Sequence, residues 1–413
     1  MKIAIVGSGI SGLVAAHLLH PRHEICVYEA SDRIGGHTHT VDVDFAGERH
    51  SIDTGFIVYN EATYPNFVRL LEKLGVETQP SQMSFGLSCE RTGLEWGSRG
   101  LRSLFAQPSN LLNSSFRQML RDFLRFNREA PRLLEQPAEK ATLGDYLLGA
   151  DYSDAFIDHY VIPMGAAIWS ADPRNFLEIP AVSFIRFFQN HGMLETNPSL
   201  PWRVIRGGSA RYVEKLVAPF LDRIRVVCPV RSVRRCADRV QVLSSAGLED
   251  FDHVIFATHS DQALDLIEDP SALERAVLGS ITYQQNDVAL HTDTTLMPRN
   301  QRAWASWNYR VPLCSQGRAM LTYDMTRLQS LPSHHRFLVT LNGNDRIDPE
   351  KVLRRFVYHH PVFDADAIAA QKHRAKISGP SRTHYCGAYW GNGFHEDGVK
   401  SAIEACAPFG AEF

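Results

Sequence analysis

Residues 2–19, KIAIVGSGISGLVAAHLL, decide the fold of this chain. The β-branched run at the start predicts a buried strand, and the apolar pattern at the end predicts a helix. Between them, Gly7, Gly9 and Gly12 have the spacing of a dinucleotide-binding turn, which brings backbone amides and a helix N-terminus to a pyrophosphate. The residues predicted to contact this pyrophosphate are Gly7, Ser8, Gly9, Ile10, Ser11 and Gly12.

A second predicted strand, residues 24–28, supports this interpretation because an acidic residue, Glu29, follows it. Glu29 lies at about the distance along the chain from Gly12 at which a carboxylate accepts hydrogen bonds from ribose hydroxyls. Its charge would repel a 2′-phosphate, so NADP is disfavoured. The turn alone leaves NAD and FAD open.

Composition bounds the class of protein. The 413 residues are enough for two or three domains, and 44% hydrophobic with 22% charged residues is typical of globular proteins and excludes global disorder. Lys and Arg total 43 against 46 Asp and Glu, so the chain has no excess of positive charge. We therefore expect no nucleic-acid partner.

The cysteines and histidines indicate neither disulfides nor a metal site. The seven cysteines are scattered without a Cys-x-x-Cys pair, which indicates a reducing compartment. Histidines at 37 and 39, 334 and 335, and 359 and 360 lack the spacing of a zinc motif, so we expect no metal. No uninterrupted apolar stretch reaches the length of a membrane span. We expect a cytoplasmic protein.

The residues after Glu29 narrow the choice of dinucleotide. Residues 31–38, SDRIGGHT, contain a Gly-Gly doublet preceded by an arginine, and residues 53–56 read DTGF. This arrangement resembles the second signature of glutathione-reductase-like flavoproteins, especially the amine oxidase and phytoene desaturase branch. The resemblance implies FAD, and it implies diphosphate or isoalloxazine contacts for Ala30, Arg33, Gly35, Gly36, His37, Thr38, Gly55 and Phe56.

A later segment fits the same branch. Residues 224–230, 240–243 and 252–258 are typical of strand, hairpin and strand. In these flavoproteins such a segment returns the chain to the FAD domain. The resemblance implies that the backbone of Val230 contacts adenine.

The C-terminal segment resembles the closing motif of the branch. Residues 385–389 are strand-like, and residues 397–403 open a predicted helix. In the family, the amides at this helix start face the flavin pyrimidine and the ribityl chain, and the helix dipole stabilises an anionic reduced flavin. The residues implied are Gly387, Asp397, Gly398 and Val399.

These features predict an α/β fold, with a glutathione-reductase-like Rossmann FAD domain and an inserted, amine oxidase-like α+β substrate domain. We expect the FAD domain to be discontinuous, with residues 1–80, 203–265 and 375–413. The substrate or cap domain is expected at residues 81–202 and 266–374. The first insertion is helix-rich and the second alternates strand-like segments, so we expect a sheet covered by helices.

One helix of the first insertion is predicted to be amphipathic. Residues 113–134 place an apolar face beside a face that carries Arg117, Arg121 and Arg125 at i, i+4 spacing. Like charges in this register repel by a few tenths of a kcal/mol. We interpret the polar face as solvated, and peripheral contact with an anionic membrane surface is the alternative. The apolar face comprises Phe116, Met119, Leu120, Phe123 and Leu124.

A more particular resemblance covers nearly the whole chain. The sequence is similar to the flavoprotein domain fused to the methyltransferase in plant cyclopropane fatty acid synthases, and to its stand-alone bacterial relatives. The resemblance implies an apolar acyl substrate and a methyltransferase as partner. The matching stretches are residues 83–85, 95–99, 104–107, 162–164, 168–170, 296–298, 303–308 and 393–398.

Candidate catalytic residues lie just before the closing helix. By the family resemblance, His395 and Glu396 lie near the flavin ring and are candidates for moving a proton, and a structural role for both is the alternative. Further aromatic residues are candidates to line an apolar substrate tunnel, with a place in the core as the alternative. They are Tyr59, Tyr160, Trp169, Trp304 and Trp307.

Two features bear on amine oxidase chemistry. The lysine that amine oxidases place near flavin N5 has no assignable counterpart, which disfavours this reading. Cys386 raises the question of a flavin thioether, but it lies later in the chain than the attachment cysteine of monoamine oxidases. We therefore predict non-covalent FAD.

The leading hypothesis is an FAD-dependent oxidoreductase that desaturates or oxidises a fatty-acyl substrate by hydride transfer to flavin N5. Methyl-branched and phospholipid-linked acyl chains are included. The alternatives are a flavin amine oxidase and a flavin-bound accessory partner of a cyclopropane-synthase-like methyltransferase.

Overall fold

The structure, a computed structural model, describes residues 1–135, 141–195, 200–314 and 317–413. In chain order its strands are β1 Lys2–Val6, β2 Glu24–Tyr28, β3 Thr40–Phe45, β4 Glu48–Asp53, β5 Tyr59–Asn60, β6 Thr78–Pro80, β7 Phe85–Cys89, β8 Glu95–Gly97, β9 Trp202–Ile205, β10 Ile224–Arg225, β11 Val230–Arg235, β12 Val240–Ser244, β13 Gly247–Phe251, β14 His253–Phe256, β15 Tyr283–His291, β16 Trp307–Val311, β17 Met320–Asp324, β18 Leu338–Leu341, β19 Val352–Pro361 and β20 Thr383–Tyr385.

The helices are named in the same way. They are α1 Ile10–Leu19, α2 Pro65–Lys73, α3 Leu101–Leu104, α4 Ser114–Glu129, α5 Leu143–Gly149, α6 Asp154–Phe156, α7 Ile162–Trp169, α8 Ala181–Asn190, α9 Ala210–Val217, α10 Ser260–Leu266, α11 Ala272–Gly279, α12 Met325–Leu328, α13 Ala365–Gln371, α14 Arg374–Ile377 and α15 His395–Cys406. Within the four described ranges, none is long and apolar enough to cross a membrane.

A five-stranded parallel sheet forms the dinucleotide-binding part, in the order β10-β2-β1-β14-β20. The central strand β1 alternates between two cores. Ile3 and Ile5 pack with residues of α1 and α15, whereas Ala4 and Val6 pack with residues of β12 and α11 on the other face. Parallel strands covered on both faces are the Rossmann arrangement, so the predicted fold class is confirmed.

The segment after β10 differs from its prediction in detail. The strand expected at 224–230 is wrong in extent, because β10 ends at Arg225 and β11 begins at Val230. Between them Val227 has a φ of 51°, and Pro229 has no N–H to donate to a strand partner. The chain therefore leaves the parallel sheet and starts the antiparallel sheet β11-β12-β13.

The closing motif also shifts by a few residues. The strand expected at 385–389 ends at Tyr385, because the N–H of Gly387 donates to Oγ of Ser401 at 2.9 Å and leaves the sheet. The helix expected to open at 397 begins at His395 instead. This places His395 inside the first turn of the helix.

A seven-stranded mixed sheet forms the second part, in the order β19-β15-β18-β17-β16-β7-β8. Phe85, Tyr309 and Leu321 on one face pack against the core of α4 to α8. Val288 and Val339 lie in a second core on the other face. The predicted sheet covered by helices is therefore present.

Two helices lie outside the segments expected for the FAD domain but pack in its core. Val277 and Leu278 of α11, and Ala370 of α13, contact the core beneath the parallel sheet. The expected domain boundaries at 265 and 375 would therefore separate these two helices from the core in which they pack. The apolar faces of these helices are covered by the parallel sheet, so we assign α11 and α13 to the FAD-binding part.

Candidate active site

The N-terminus of α1 opens beside Gly9. Gly9 precedes the helix with φ −69° and ψ 178°, and no described side chain caps the helix start. A Cβ built on Gly9 would meet no atom within 4 Å, whereas one built on Gly12 would lie 2.0 Å from the carbonyl oxygen of Gly7. The first-turn N–H groups have no intrahelical partner and lie beside open space. This geometry fits a pyrophosphate.

Glu29 lies at the end of β2, where its carboxylate is bound on both sides. Oε2 accepts hydrogen bonds from N and Oγ of Ser8 at 3.1 and 2.5 Å, and Oε1 accepts from N and Oγ of Ser31, both at 2.9 Å. The chain that leads to Val230 runs alongside, since the N–H of Cys228 donates to the carbonyl of Glu29 at 2.8 Å. Glu29 and the segment two residues before Val230 thus lie together, and the contacts of these residues with ribose and adenine stay predictions.

The Gly35–Gly36 turn packs on Gly9. A Cβ on Gly36 would lie 2.9 Å from Cα of Gly9, so the turn approaches the α1 start through backbone alone. The guanidinium of Arg33 donates to the carbonyls of Thr38 and Gly36 at 2.9 and 2.8 Å. Arg33 therefore stabilises the turn through hydrogen bonds to its carbonyls. The direct contact with the diphosphate that was expected for Arg33 stays a prediction. Ala30, beside Glu29, is exposed.

Gly55 and His37 bring two more segments together. A Cβ on Gly55 would lie 2.1 Å from the carbonyl oxygen of His37. Nε2 of His37 is buried without a partner among the described residues, and burial lowers the pKa of the ring to about 4. The His37 ring centroid lies 5.3 Å from that of His360. A neutral, unpartnered ring nitrogen is thus available to a ligand beside the glycine turn.

The N-terminus of α15 meets the N-terminus of α1. A Cβ on Gly398 would lie 2.8 Å from Cγ2 of Ile10 and 3.0 Å from Oγ of Ser11. Glycine is therefore required for this close approach. Two helix N-termini with their partial positive charges lie at one site, as binding of an anionic cofactor requires.

Asp397 and Val399 hold the closing helix in place. Asp397 accepts hydrogen bonds from the N–H groups of Asn392 and Phe394, both at 3.0 Å, and burial raises the pKa of its carboxyl to about 6. Val399 is fully buried in the core that contains α1. Both residues support the helix, and a direct cofactor contact stays a prediction for each.

His395 is held by three neighbours. Its Nε2 lies 3.0 Å from Oγ1 of Thr38 and 3.2 Å from the hydroxyl of Tyr212, and its ring stacks on Phe56 at 3.6 Å. Burial holds the pKa of His395 well below its ordinary value, so the ring is neutral. The sequence reasoning missed Tyr212, which carries no motif that distinguishes it from other core tyrosines.

Glu396 is engaged by the start of α2. Oε1 accepts hydrogen bonds from N and Nδ2 of Asn66 at 3.2 and 2.6 Å, and Oε2 accepts from N of Phe67 at 2.9 Å. A carboxylate in this position binds the free N–H groups of the helix start. Glu396 therefore has a structural role, and a catalytic role for it stays a prediction without geometric support.

A cluster of neutral polar side chains lies where β15 and β19 reach the dinucleotide-binding part. This cluster was not predicted from the sequence. Asn286 is fully buried, with Nδ2 at 2.9 Å from Nδ1 of His360 and Oδ1 accepting from Nδ2 of Asn342 at 2.8 Å. Burial lowers the pKa of His360 to about 3. Together with Gln284, these residues are called the amide–imidazole set. In the sequence, the adjacent histidines 359 and 360 are the only signal of this cluster.

An aromatic row connects the helix-rich part to the start of α15. It consists of Trp169, Phe187 and Phe394, with ring centroids 4.6 Å apart for the first pair and 5.3 Å for the second. Nε1 of Trp169 donates to the carbonyl of Asn392 at 3.2 Å. The amide–imidazole set adjoins the row, since Nε2 of Gln284 donates to the carbonyl of Ser170 at 3.1 Å.

Of the five aromatic residues predicted for substrate, only Trp169 lies in this row. The other four have neighbours that place them elsewhere in the packed structure, which is the core alternative. Tyr59 packs on Phe67, Tyr160 stacks on Phe156, Trp304 donates to the carbonyl of Pro298, and Trp307 packs edge-to-face on Tyr323.

The starts of α1 and α15 meet at one anion-binding site, and Glu29 lies beside it after β2. This site defines the class of protein as an FAD-dependent oxidoreductase with a Rossmann-type domain. Residues 10–360 match the family model for flavin containing amine oxidoreductases. The chain belongs to this family.

Similarity to individual relatives is distant. The chain is 25% identical over 255 residues to flavin-containing amine oxidase A of Sus scrofa, covering 59% of this chain and 46% of that protein. The chain spans about half the length of the curated relatives it matches. Cyclohexylamine oxidase from Brevibacterium oxydans IH-35A superposes with a TM-score of 0.71 at 17% identity, covering 98% of both chains. A CLA-producing fatty acid isomerase from P. acnes gives 0.70 at 16%, also covering 98% of both chains.

The environment of Cys386 predicts how the flavin is held. Its side chain is fully buried after β20, and burial raises the pKa of the thiol to about 12, so no reactive thiolate is present. We expect acid precipitation of the purified protein to leave all flavin colour in the supernatant. The Cys386→Ser variant should retain the same flavin content. A yellow pellet that becomes colourless in this variant would show a thioether instead.

Proposed function

We propose that this protein desaturates or oxidises a fatty-acyl substrate, methyl-branched and phospholipid-linked chains included, by hydride transfer to FAD. The observation that carries the proposal is the aromatic row from Trp169 to Phe394, which leads to the α15 start. Its three rings form an apolar wall on which an acyl chain packs.

The amide–imidazole set beside the row is neutral, and the nearby carboxyl of Asp397 is already bound by the N–H groups of Asn392 and Phe394. Burial lowers the pKa of His360 to about 3, and it also lowers the pKa of His191, which stacks on Phe187 at 3.9 Å. Gln284 and Asn286 carry no charge. A protonated amine that loses its hydration here would need a carboxylate partner, whereas an acyl chain needs none.

FAD, when bound, supplies the hydride-accepting chemistry. The aromatic row excludes water and orients the reacting C–H bond. The amide–imidazole set offers hydrogen bonds to the polar end of the substrate. Formation of a double bond removes a hydride from one carbon and a proton from its neighbour, and the proton is released to water. Burial lowers the pKa of His395 too far for this ring to be an effective base, so its catalytic role stays a prediction and its position supports the start of α15. Thr38 and Tyr212 hold this ring in place.

Two other functions remain candidates. The curated relative named above is an amine oxidase, which favours an amine substrate, and the fold is shared by an amine oxidase and a fatty acid isomerase. The fold alone therefore does not choose between the two substrate classes. The resemblance to the plant cyclopropane fatty acid synthases supports an accessory role beside a methyltransferase.

Anaerobic stopped-flow absorbance tests the proposal. The purified yellow protein is mixed separately with methylated unsaturated acyl phospholipids and with a panel of amines. We expect the acyl lipids alone to bleach the oxidised-flavin band, with a product that mass spectrometry shows to have lost two hydrogens. Bleaching by amines alone would establish an amine oxidase. If neither the acyl lipids nor the amines bleach the flavin band, the accessory role beside a methyltransferase would be favoured.

Two tryptophans provide a matched pair of variants for the same assay. Trp169 and Trp304 are both half-buried, and each donates its Nε1–H to a backbone carbonyl, but only Trp169 lies in the aromatic row. We expect Trp169→Ala to slow flavin reduction by acyl lipids by roughly tenfold or more while FAD stays bound. Trp304→Ala should leave the rate unchanged. Equal effects of the two substitutions on the rate of flavin reduction would contradict the assignment of the aromatic row to substrate binding.

A further inference from the structure

We propose that one exposed face of the helix-rich part binds the surface of an anionic lipid bilayer. The proposal goes beyond the proposed function, because it does not depend on which substrate is oxidised. This leucine–arginine face consists of Leu111, Leu112, Arg117, Arg121, Leu124 and Arg128.

The residues of this face lie together because α4 begins directly after the two leucines. Oδ1 of Asn113 accepts the N–H of Phe116 at 3.1 Å and caps the helix. The next members follow at i+4, i+3 and i+4 spacing, which puts them on one stripe of the helix. The opposite side of α4 is buried through Phe116, Met119 and Phe126. The stripe therefore points away from the core.

The leucines on this face are largely exposed. Leu112 is 85% exposed, Leu111 55% and Leu124 54%. Leu101 of α3, also exposed, lies nearby, because Phe105 packs edge-to-face on the first turn of α4 at 6.0 Å. A group of exposed apolar side chains among charged ones is typical of an interaction surface.

Positive charge is concentrated around these leucines. Residues 99–132 contain seven arginines, two acidic residues and no lysine, although the net charge of the whole chain is −3. Arg117 and Arg121 are exposed, and the side chain of neither makes a hydrogen bond or ion pair with a residue that the structure describes. Their charges are therefore available to an anionic partner.

Two positions of the sequence prediction for this helix are corrected. Leu124, expected on the apolar face, is exposed. Arg125, expected on the same stripe as the other arginines, contacts Asp122 at 3.5 Å and lies 4.0 Å above the ring of Tyr152. These contacts, and a hydrogen bond from the guanidinium to the carbonyl of Asp151 at 3.0 Å, hold Arg125 against the loop between α5 and α6, and Arg128 takes its place on the stripe.

An anionic bilayer fits both features of the face. Arginines bind lipid phosphates, and adjacent leucines enter the boundary between headgroups and acyl chains. An acidic protein would satisfy the arginines, but it would need an apolar pocket matched to the protruding leucines. A bilayer needs no such pocket.

Vesicle co-sedimentation of the FAD-loaded protein tests the proposal. We expect binding to vesicles that contain phosphatidylglycerol, weaker binding to pure phosphatidylcholine vesicles, and loss of binding as salt is raised. Leu111→Ser with Leu112→Ser, and separately Arg117→Gln with Arg121→Gln, should each weaken binding by roughly tenfold or more.

A double variant elsewhere on the surface provides the control. Leu248 and Arg231 are exposed on the antiparallel sheet β11-β12-β13, far along the chain from α4. Leu248→Ser with Arg231→Gln should bind vesicles as the unmodified protein does. Absence of vesicle binding, binding that is unaffected by the leucine and arginine substitutions in the face, or binding only to an acidic soluble protein would overturn the proposal. Flavin reduction by acyl lipids in detergent would still test the proposed function separately.

Discussion

Replacing Gly9 by alanine is expected to raise the FAD dissociation constant by roughly 100-fold, equal to about 2.8 kcal/mol, while the apoprotein melts as before. The backbone of Gly9 has φ −69°, which alanine adopts without strain, and a Cβ there meets no protein atom within 4 Å. That open space is where the pyrophosphate must approach the start of α1. The methyl group would therefore obstruct the cofactor without disturbing the fold.

Two further glycines make this test specific. Gly149 also has open space around its Cβ, but it lies on α5, so Gly149→Ala should leave FAD affinity unchanged. In Gly12→Ala the new Cβ would lie 2.0 Å from the carbonyl oxygen of Gly7, so this variant should lower the melting temperature of the apoprotein as well. Fluorescence titration with FAD and thermal unfolding measure both quantities. Unchanged FAD affinity in Gly9→Ala would place the pyrophosphate elsewhere.

The protein should lose stability steeply between pH 6.5 and 4.5. Burial lowers the pKa of five histidines to about 4 and of His360 to about 3, and it holds that of His395 well below its ordinary value. Below pH 6.5 the unfolded chain binds protons on these rings while the folded protein does not, so the free energy of unfolding falls. Each ring contributes up to about 1.4 kcal/mol per pH unit. The five are His37, His39, His259, His291 and His384.

Two buried acids act in the opposite direction. Burial raises the pKa of Asp53 and of Asp397 to about 6, so the folded protein takes up protons on these carboxyls as the pH falls below 6, before the unfolded chain does. Two such groups offset part of the contribution of the seven histidines. The net change between pH 6.5 and 4.5 is therefore expected to be a loss of stability.

Thermal unfolding of the purified protein at a series of pH values measures the effect. We expect the melting temperature to fall by roughly 10 °C or more between pH 6.5 and 4.5. In His291→Asn the decline should be shallower, because the amide oxygen can accept the N–H of Asp293 as Nδ1 of His291 does at 3.0 Å, but it does not titrate. A melting temperature that stays constant or rises over this range would refute the prediction.

The motif-based predictions succeeded where the interacting residues are close in sequence. The turn from Gly7 to Gly12 fixes a strand, a helix start and an open anion site within one short segment, so spacing alone was sufficient. Errors of two to five residues at β10, β20 and α15 arose where contacts outside the local segment set the bounds of an element. The bond from Gly387 to Ser401 is one such contact.

Roles of single residues near the flavin site were less predictable. Glu396 has the composition and position of a catalytic acid, but the start of α2, far earlier in the chain, binds both of its oxygens. Trp169 and Trp304 are equivalent in sequence terms, and only packing separates the one in the aromatic row from the one beside Pro298. No local pattern distinguishes such cases, because the deciding partners come from distant segments.

The family resemblance implied the flavin cofactor, and the residue patterns by themselves determined the dinucleotide-binding fold and the existence of an inserted sheet with helices. These two structural properties depend on local turn geometry and on the period of apolar residues, and both patterns involve residues that are close together in the chain. Only the tertiary structure decided which side chains meet at the site. Asn286 lies on β15, His360 on β19 and Asn342 directly after β18, and the burial that lowers the pKa of His360 exists only once those strands pair. The same holds for the leucine–arginine face, since whether a leucine is exposed depends on what packs against its helix.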